Sequence, residues 1–533
     1  MPSEESQDIE QATTKIAPIT EGQPDSKTRR YDRQLRLWAA SGQSALESAR
    51  LLVLSSSATS TSILKNLVLP GIGHFTILDD ATATPEDAGN NFFLEGPSSI
   101  GKKRAEEAVR LLGELNDGVD GKADARNVEE VLAKGVEGEE WLKAHTLVIA
   151  HNLQQSTLDQ LSDVLWKDED APPLVVVRSA GFLAEFYIQF HEHTIIESHS
   201  ETSPSLRIDK PFPALLEYSL SLDFDNMDPT DHGHVPYVII LVRALEEWKK
   251  AHDGSPPSTY PEKQAFKKQI LAMKHKQDEE NFDEAEGQAY RCWTPTVVPS
   301  EIKALFSDPK LAALSATSPP FFYLLHALKR FVEEQPQHSL PLSNTLPDMK
   351  ASTGAYIELQ KMYKTRAEEE KSIFKSYLPA DVEVDESMLD AFVKNVHAVK
   401  VMRGKQWGAV DKEPKTLANF IQTSPKQLAI HLALSALANL ITKQQPNAPL
   451  TPTIESLTVE AQALLPSGTE LPEEEWANAV GELARAPTAD LPNTAALLGG
   501  LVAQEVIKMV TKQYVPIENY CVVDLIETWT GIL

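Results

Sequence analysis

The feature that most constrains this chain lies near its start, where two apolar runs flank a single helix. Residues 51–54 (LLVL) form a strand-length apolar run, and 55–62 are almost wholly Ser, Thr and Ala. Residues 63–69 carry apolar helical spacing stopped by Pro70-Gly71, and 74–80 (HFTILDD) form a second strand. Apolar strands joined through one helix pair in parallel by a right-handed crossover. The pattern then repeats. Residues 99–115 place Ala105, Ala108, Val109 and Leu112 at helical spacing, and apolar strands over 146–150 and 174–177 surround a helix over 157–166. Such alternation predicts an α/β, doubly wound, Rossmann-like domain. Just ahead of it, a helix over 29–38 aligns Tyr31, Leu35 and Trp38 in one stripe, with Arg29, Arg33 and Arg36 on the opposite side.

After about Gly181 the character changes. Residues 182–190 and 194–196 read as strands, but from 237 to 440 the periods are helical, with helices expected over 238–248, 321–332, 355–377 and 428–441. The polar, Pro-bearing stretch 250–300 reads as surface loops. Towards the end the α/β character returns, with an apolar helix over 494–510, begun by Pro492-Asn493, and a strand over 519–525. The economical division is a flexible leader at 1–28, a first α/β part at 29–190, a mainly α-helical insert at 191–485, and a C-terminal completion of the α/β domain at 486–533.

Composition narrows the classes. The 533 residues carry 50 Lys+Arg against 77 Asp+Glu, a formal charge of −27, which argues against a nucleic-acid partner. No apolar run approaches the roughly 18–20 residues of a bilayer span, so no membrane partner is expected. The acidic, polar start is unlike a secretory signal. Two cysteines, Cys292 and Cys521, are too few for a disulfide framework or a four-thiolate zinc site. A soluble cytoplasmic or nuclear location is expected.

A small-residue turn between strand and helix is where nucleotide phosphates sit, held by backbone N–H groups, and glycine is wanted there. Here the turn reads Ser55-Ser56-Ser57-Ala58-Thr59-Ser60, without glycine. Asp79 at the end of the next strand could hydrogen-bond a ribose, yet the turn reads better as a bare structural one. Cys292, in Tyr290-Arg291-Cys292-Trp293, has an arginine neighbour that could activate a thiol; Cys521 alternates into a strand as a core thiol. Asp231-His232-Gly233-His234 groups two imidazoles and a carboxylate, but no further His or Cys cluster completes a tetrahedral site, so no metal is expected.

The run Tyr31-Asp32-Arg33-Gln34-Leu35-Arg36-Leu37-Trp38 resembles the opening of adenylation domains in the ubiquitin-activating-enzyme superfamily, as does Asn66-Leu67-Val68-Leu69-Pro70-Gly71-Ile72-Gly73 before the strand ending in Asp79. With Glu86-Asp87-Ala88-Gly89-Asn90-Asn91-Phe92-Phe93-Leu94, Ser99-Ile100-Gly101-Lys102, Gly499-Gly500 and Ala503-Gln504-Glu505-Val506-Ile507-Lys508, the chain is similar to the regulatory subunits of the heterodimeric enzymes that open the neddylation pathway. The resemblance runs from about Arg30 to the C-terminus and is weak at 115–145 and 250–320. It implies a pseudo-adenylation domain carrying a helical catalytic-cysteine half-domain. Active relatives have a Gly-rich turn, an Asn-x-x-Arg-Gln segment and an Asp after a later strand. Here the Arg-Gln positions fall on Asn91-Phe92, and the later strand is followed by His151-Asn152-Leu153.

The resemblance therefore implies an inactive half. This chain would bind no cofactor, with ATP and Mg held by a catalytic adenylation/thioester subunit in a heterodimer that acts on a ubiquitin-like modifier and a conjugating enzyme. It implies that Arg33 reaches in trans to the partner's ATP, a role suited to a guanidinium because it never deprotonates and binds phosphate bidentately. It also implies that His234, Asp348, Met349, Tyr356 and Gln360 contact the catalytic subunit. The rival readings are a conventional Rossmann dehydrogenase, which the glycine-free turn opposes, and a helical adaptor without an enzyme partner.

Overall fold

The computed structural model describes residues 25–199, 204–444 and 450–533, so nearly all of the expected leader 1–28 lies outside the described residues. The chain divides into two units, Met1–His193 with Val401–Leu533, and Thr194–Lys400.

Among the described residues ten strands run in chain order as β1 (Arg50–Leu54), β2 (His74–Leu78), β3 (Asp120–Asp124), β4 (Leu147–His151), β5 (Leu174–Ala180), β6 (Leu183–Gln189), β7 (Glu192–Ile195), β8 (Lys400–Arg403), β9 (Cys521–Asp524) and β10 (Trp529–Ile532). The first unit is built on an eight-stranded sheet of order β10-β9-β6-β5-β4-β1-β2-β3. β3, β2, β1, β4 and β5 run parallel, and β6 then pairs antiparallel with both β5 and β9. The apolar runs become central strands because side chains alternate between two covered faces. Leu51 and Val53 meet Ile63, Leu67, Leu112 and Leu498 on one face, while Leu52 and Leu54 belong with Leu158, Leu161, Leu432 and Leu483 on the other. β3 has no counterpart among the expected strands because DGKAD has no apolar signal; it is an edge strand held to β2 by its backbone.

The N-terminal helix runs Ser26–Ser48 but breaks at Ala39 (φ 54°, ψ −175°), beside the expected end at Trp38. Tyr31 seats it. Its ring is buried, its hydroxyl accepts from Asn116 Nδ2 at 2.8 Å, and it lies so close to Gly71 (φ +86°) that a Cβ there would stand 2.5 Å from the hydroxyl. The Pro70-Gly71 turn thus needs its glycine for both conformation and space.

Several expectations are corrected. The first crossover helix is Ala58–Val68 and starts well before residue 63: Ser57 caps it through Ser60 N, and Ala58 to Ser62 are buried in its first turns. The helical block does not extend to 485. Helices Pro414–Thr423, Pro425–Lys443, Ile454–Leu464 and Glu473–Arg485 cover the second face of the sheet, since Leu428, Leu432, Leu457, Trp476 and Leu483 share a core with Val148 and Val176. Helix Pro492–Thr511 is long and apolar enough to cross a membrane by length and composition alone, contrary to the expectation that no such run exists. Its Leu498, Val502 and Val506 are instead core residues.

The short strands β7 and β8 form a sheet of their own where the chain passes between units. The second unit is mainly helical. Helix Tyr237–Ala251 is buried along most of its length, and a bidentate pair joins Arg207 to Glu370 at 2.6 and 2.7 Å inside the unit. The 250–300 stretch is not loop alone. Helices Tyr260–Ala272 and Glu280–Gly287 bury Phe266, Ile270 and Phe282. A Thr259–Glu262 capping box starts the first of them, so the polar residues that suggested loop are cap and outer face.

Candidate functional site

In the first unit the strand–turn–helix at 54–60 stands where a dinucleotide-type fold receives phosphate. Ser55 holds φ 144°, a backbone region that glycine reaches freely and other residues rarely adopt. The glycine-like turn persists with serine in it. The donors of Ser56, Ser57 and Thr59 meet this chain's own side chains. Ser56 N donates to Asp79 Oδ2 at 2.8 Å, and the Ser56 hydroxyl donates to the same oxygen. Ser57 Oγ bonds His151 Nδ1 at 2.7 Å, and His151 Nε2 meets Ser179 Oγ at 2.9 Å. Thr59 N and Oγ1 both donate to the Asp490 carboxylate, at 3.2 and 2.6 Å.

Asp79, the candidate ribose acceptor, is likewise engaged. Arg104 reaches it through Nη2 at 2.8 Å and Nε at 3.0 Å, and binds Asp87 through Nη1 at 2.8 Å. Burial works against the charge on Asp79, but Arg104 and the Ser56 donors more than offset it and hold the carboxyl below its ordinary range. Burial also keeps His151 below the usual histidine value, so a neutral imidazole links the two serines. Asn91 ties in by accepting from Thr61 Oγ1 at 2.9 Å and donating to Ser56 O at 2.9 Å, while Phe92 beside it projects outward, 80% exposed. A magnesium–triphosphate does not fit this corner. The helix N-terminus already holds a carboxylate, Asp79 already holds a guanidinium, and the group that meets the turn from β4 is a neutral imidazole and not a carboxylate.

The arginine face is different. Arg30 binds Asp117 Oδ1 and Asn116 Oδ1, both at 2.6 Å, and Arg36 pairs with Asp32 at 3.0 Å. Arg29 and Arg33 are exposed and their side chains make no ion pair among the described residues.

The ThiF family matches residues 31–151, which span the N-terminal helix, the turn and β1 to β4. The NEDD8-activating enzyme E1 regulatory subunit of Xenopus laevis is 34% identical over 523 residues, covering 92% of this chain and 96% of the relative. The regulatory subunit of Gallus gallus is 34% identical over 93% of this chain and 96% of its own length. One from Arabidopsis thaliana, AXR1, is 31% identical over 95% of each. The chain belongs to the NEDD8-activating enzyme E1 regulatory subunit family.

For a member of this family, neither thiol is placed for attack. Cys292 is 1% exposed, and burial pushes its thiol well above the ordinary value. Arg291, whose neighbourhood had suggested activation, turns its Nε to Gln288 instead. Cys521 lies in the sheet core and burial pushes it up to about 12. Buried, protonated thiols are poor nucleophiles.

In the second unit the residues anticipated as partner contacts lie on the 231–234 turn and on the stretch 348–360. Ser352 N donates to His234 O at 3.2 Å, joining the 231–234 turn to the start of helix Thr353–Ser376. His234, Asp348 and Gln360 are exposed, Met349 is half-buried against the helical core, and the Tyr356 hydroxyl donates to Leu346 O at 3.3 Å. Exposed Ile357 lies among them.

The Asp-His-Gly-His motif resolves differently from its spacing. His232 is fully buried, bonds Glu279 Oε1 through Nδ1 at 2.9 Å, and stacks on His275 at 3.9 Å with planes 3° apart. The ligand atoms of His232, His275 and Glu279 lie within 4.8 Å of one another, a grouping hidden in the sequence by its separation. Parallel stacked rings, however, keep their in-plane lone pairs parallel, so both cannot converge on one ion, and the other oxygen of Glu279 accepts His275 N at 2.8 Å. His232 and Glu279 form a buried imidazole–carboxylate tie on which the exposed His275 ring stacks.

Sequence reasoning missed Arg104 and Asp490. Arg104 stands two places beyond Lys102 and was within reach of the Ser99–Lys102 motif; Asp490 carried no local signal.

Proposed function

We propose that this chain is the non-catalytic half of a heterodimeric activating enzyme for a ubiquitin-like modifier of the NEDD8 type. In this reading it pairs with a catalytic homologue that holds ATP and magnesium, adenylates the modifier's C-terminus, takes it as a thioester on its own cysteine, and hands it to a conjugating enzyme. The observation that carries the reading is the contrast within the first unit: in the turn that would cradle phosphate, Ser56 and Thr59 donate to this chain's own carboxylates and Ser60 N to Ser57, while Arg33 is held out unpaired among the described residues. Arg33 would place its fork on the phosphates of nucleotide bound in the partner and stabilise the charge that builds during adenylyl transfer. His234, Asp348, Met349, Tyr356 and Gln360 would form part of the surface that meets the catalytic subunit.

The test is modifier-dependent ATP–pyrophosphate exchange with the chain alone, with the catalytic subunit, and with Arg33→Ala in the mixture. Exchange is expected only from the mixture. Arg33→Ala is expected to lower it by about tenfold to a hundredfold without dissociating the pair. Exchange by the isolated chain would overturn the assignment as the non-catalytic half, and an unchanged rate would remove Arg33 from the site.

A further inference from the structure

We infer that Asp490 is a resident anion: its carboxylate permanently occupies the place at the N-terminus of helix Ala58–Val68 where a phosphate would sit, and so locks the C-terminal arm onto the first βαβ unit. The helix has eleven residues and no acidic residue in its first turn, so no charge within that turn compensates the positive end of its dipole. Asp490 supplies that charge from 431 positions away, accepting from Thr59 N at 3.2 Å and Thr59 Oγ1 at 2.6 Å. A backbone N–H plus an adjacent hydroxyl is the donor set by which helix N-termini take phosphate.

The arm is held on both sides of this carboxylate. Gly181 N donates to Ala489 O at 2.9 Å, and Thr494 Oγ1 donates to Gly181 O at 2.8 Å. Two residues after Asp490 begins helix Pro492–Thr511, which packs directly on Ala58–Val68: a Cβ on Gly499 would lie 2.8 Å from Ser62 Cβ. Asp490 therefore sits at the mouth of the two-helix contact through which β9 and β10 are delivered to the sheet. The α/β fold closes around an internal anion and needs no nucleotide to close.

The experiment compares thermal unfolding of the full chain with Asp490→Ala and Asp490→Asn, each titrated with inorganic phosphate at constant ionic strength. Asp490→Ala is expected to lower the midpoint by about 3–6 °C, and Asp490→Asn, which keeps the shape and neutral hydrogen bonds, by less. Phosphate is expected to raise the Asp490→Ala midpoint saturably and to leave the wild type and Asp490→Asn, whose sites are filled, where they were. Wild-type unfolding by Asp490→Ala, a lowered midpoint that phosphate cannot raise, or equal stabilisation of the wild type would each overturn the inference. Should Asp490→Ala be insoluble, the Asp490→Asn midpoint decides: a fall supports the lock and no change overturns it.

Discussion

In the corner formed by Ser56, Asp79 and Arg104, each charge has a partner at hydrogen-bonding distance; on the outer face of helix Ser26–Ser48, Arg33 has none among the described residues. Both regions belong to the first unit, and both lie in the stretch matched by the ThiF family. The difference teaches that a turn of phosphate-binding shape need not stand vacant. At this corner the chain supplies the opposing charges itself, and the corner is largely buried. A charge kept outside instead contributes almost nothing to folding, so its presence calls for another explanation.

The largest effect should come from breaking the inward corner. Arg104→Ala would leave Asp79 buried beside Ser56 without its guanidinium and free Asp87 as well, a loss of about 3–5 kcal/mol for a buried pair cut on one side. Urea unfolding of the full chain checks it. Arg104→Lys should restore only part, because an ammonium cannot span both carboxylates with the same fork. A loss below about 1 kcal/mol would mean that the corner is solvated, and the contrast with Arg33 would fail.

A second inward network sharpens the comparison through pH. His431 lies between Glu185 (Nδ1, 2.9 Å) and Asp411 (Nε2, 3.0 Å), with Arg178 on Glu185 and the Tyr520 hydroxyl donating to Asp411 at 3.1 Å. Burial opposes a charge on His431, but the two carboxylates outweigh it and raise the imidazole to about 9. A raised folded value means that the stabilisation is complete below the ordinary value near 6.5 and disappears as pH climbs through about 9. Stability should therefore fall by about 3 kcal/mol at most over that window. Glu185 and Asp411, both held low despite burial, act in the opposite direction at acid pH, where stability falls as they protonate. His431→Gln should be less stable at pH 6.5 and flatter up to pH 9 in denaturant titrations.

The sheet was legible wherever both faces of a strand are covered, because β1, β4 and the first half of β5 then read as apolar runs, and β2 showed through its apolar Phe75, Ile77 and Leu78. It was not legible at β3, whose Asp, Gly and Lys pair only through the backbone at an edge. Helix Pro425–Lys443 was visible as a helix and Ile454–Leu464 and Glu473–Arg485 were not singled out; which unit the first of them covers depends on whether Leu428 and Leu432 face Val148, and periodicity carries no such information. At the site, the absence of glycine at 55–60 was plain. What fills the turn was not, because Thr59 and Asp490 meet across most of the chain and Ser55 keeps a glycine-type φ that nothing in its identity announces. The imidazole–carboxylate tie of His232 with Glu279 was hidden for the same reason of separation.

The smallest effect on folding should come from the outward side. Arg33→Ala removes an exposed guanidinium with no ion-pair partner among the described residues, so stability should change by less than about 0.5 kcal/mol. Arg36→Ala gives a control of matched chemistry. It cuts the exposed pair with Asp32 on the same helix, and should change stability by no more than about 1 kcal/mol. Urea unfolding of the isolated chain and exchange by the mixture, read on the same two variants, separate the roles. If Arg33 acts on nucleotide in the partner, exchange falls for Arg33→Ala while its unfolding curve overlays the wild type, and Arg36→Ala shows the weaker effect in exchange. If both variants lose stability and neither loses exchange, the arginine face is one more internal network, and the distinction between charge kept in and charge held out collapses.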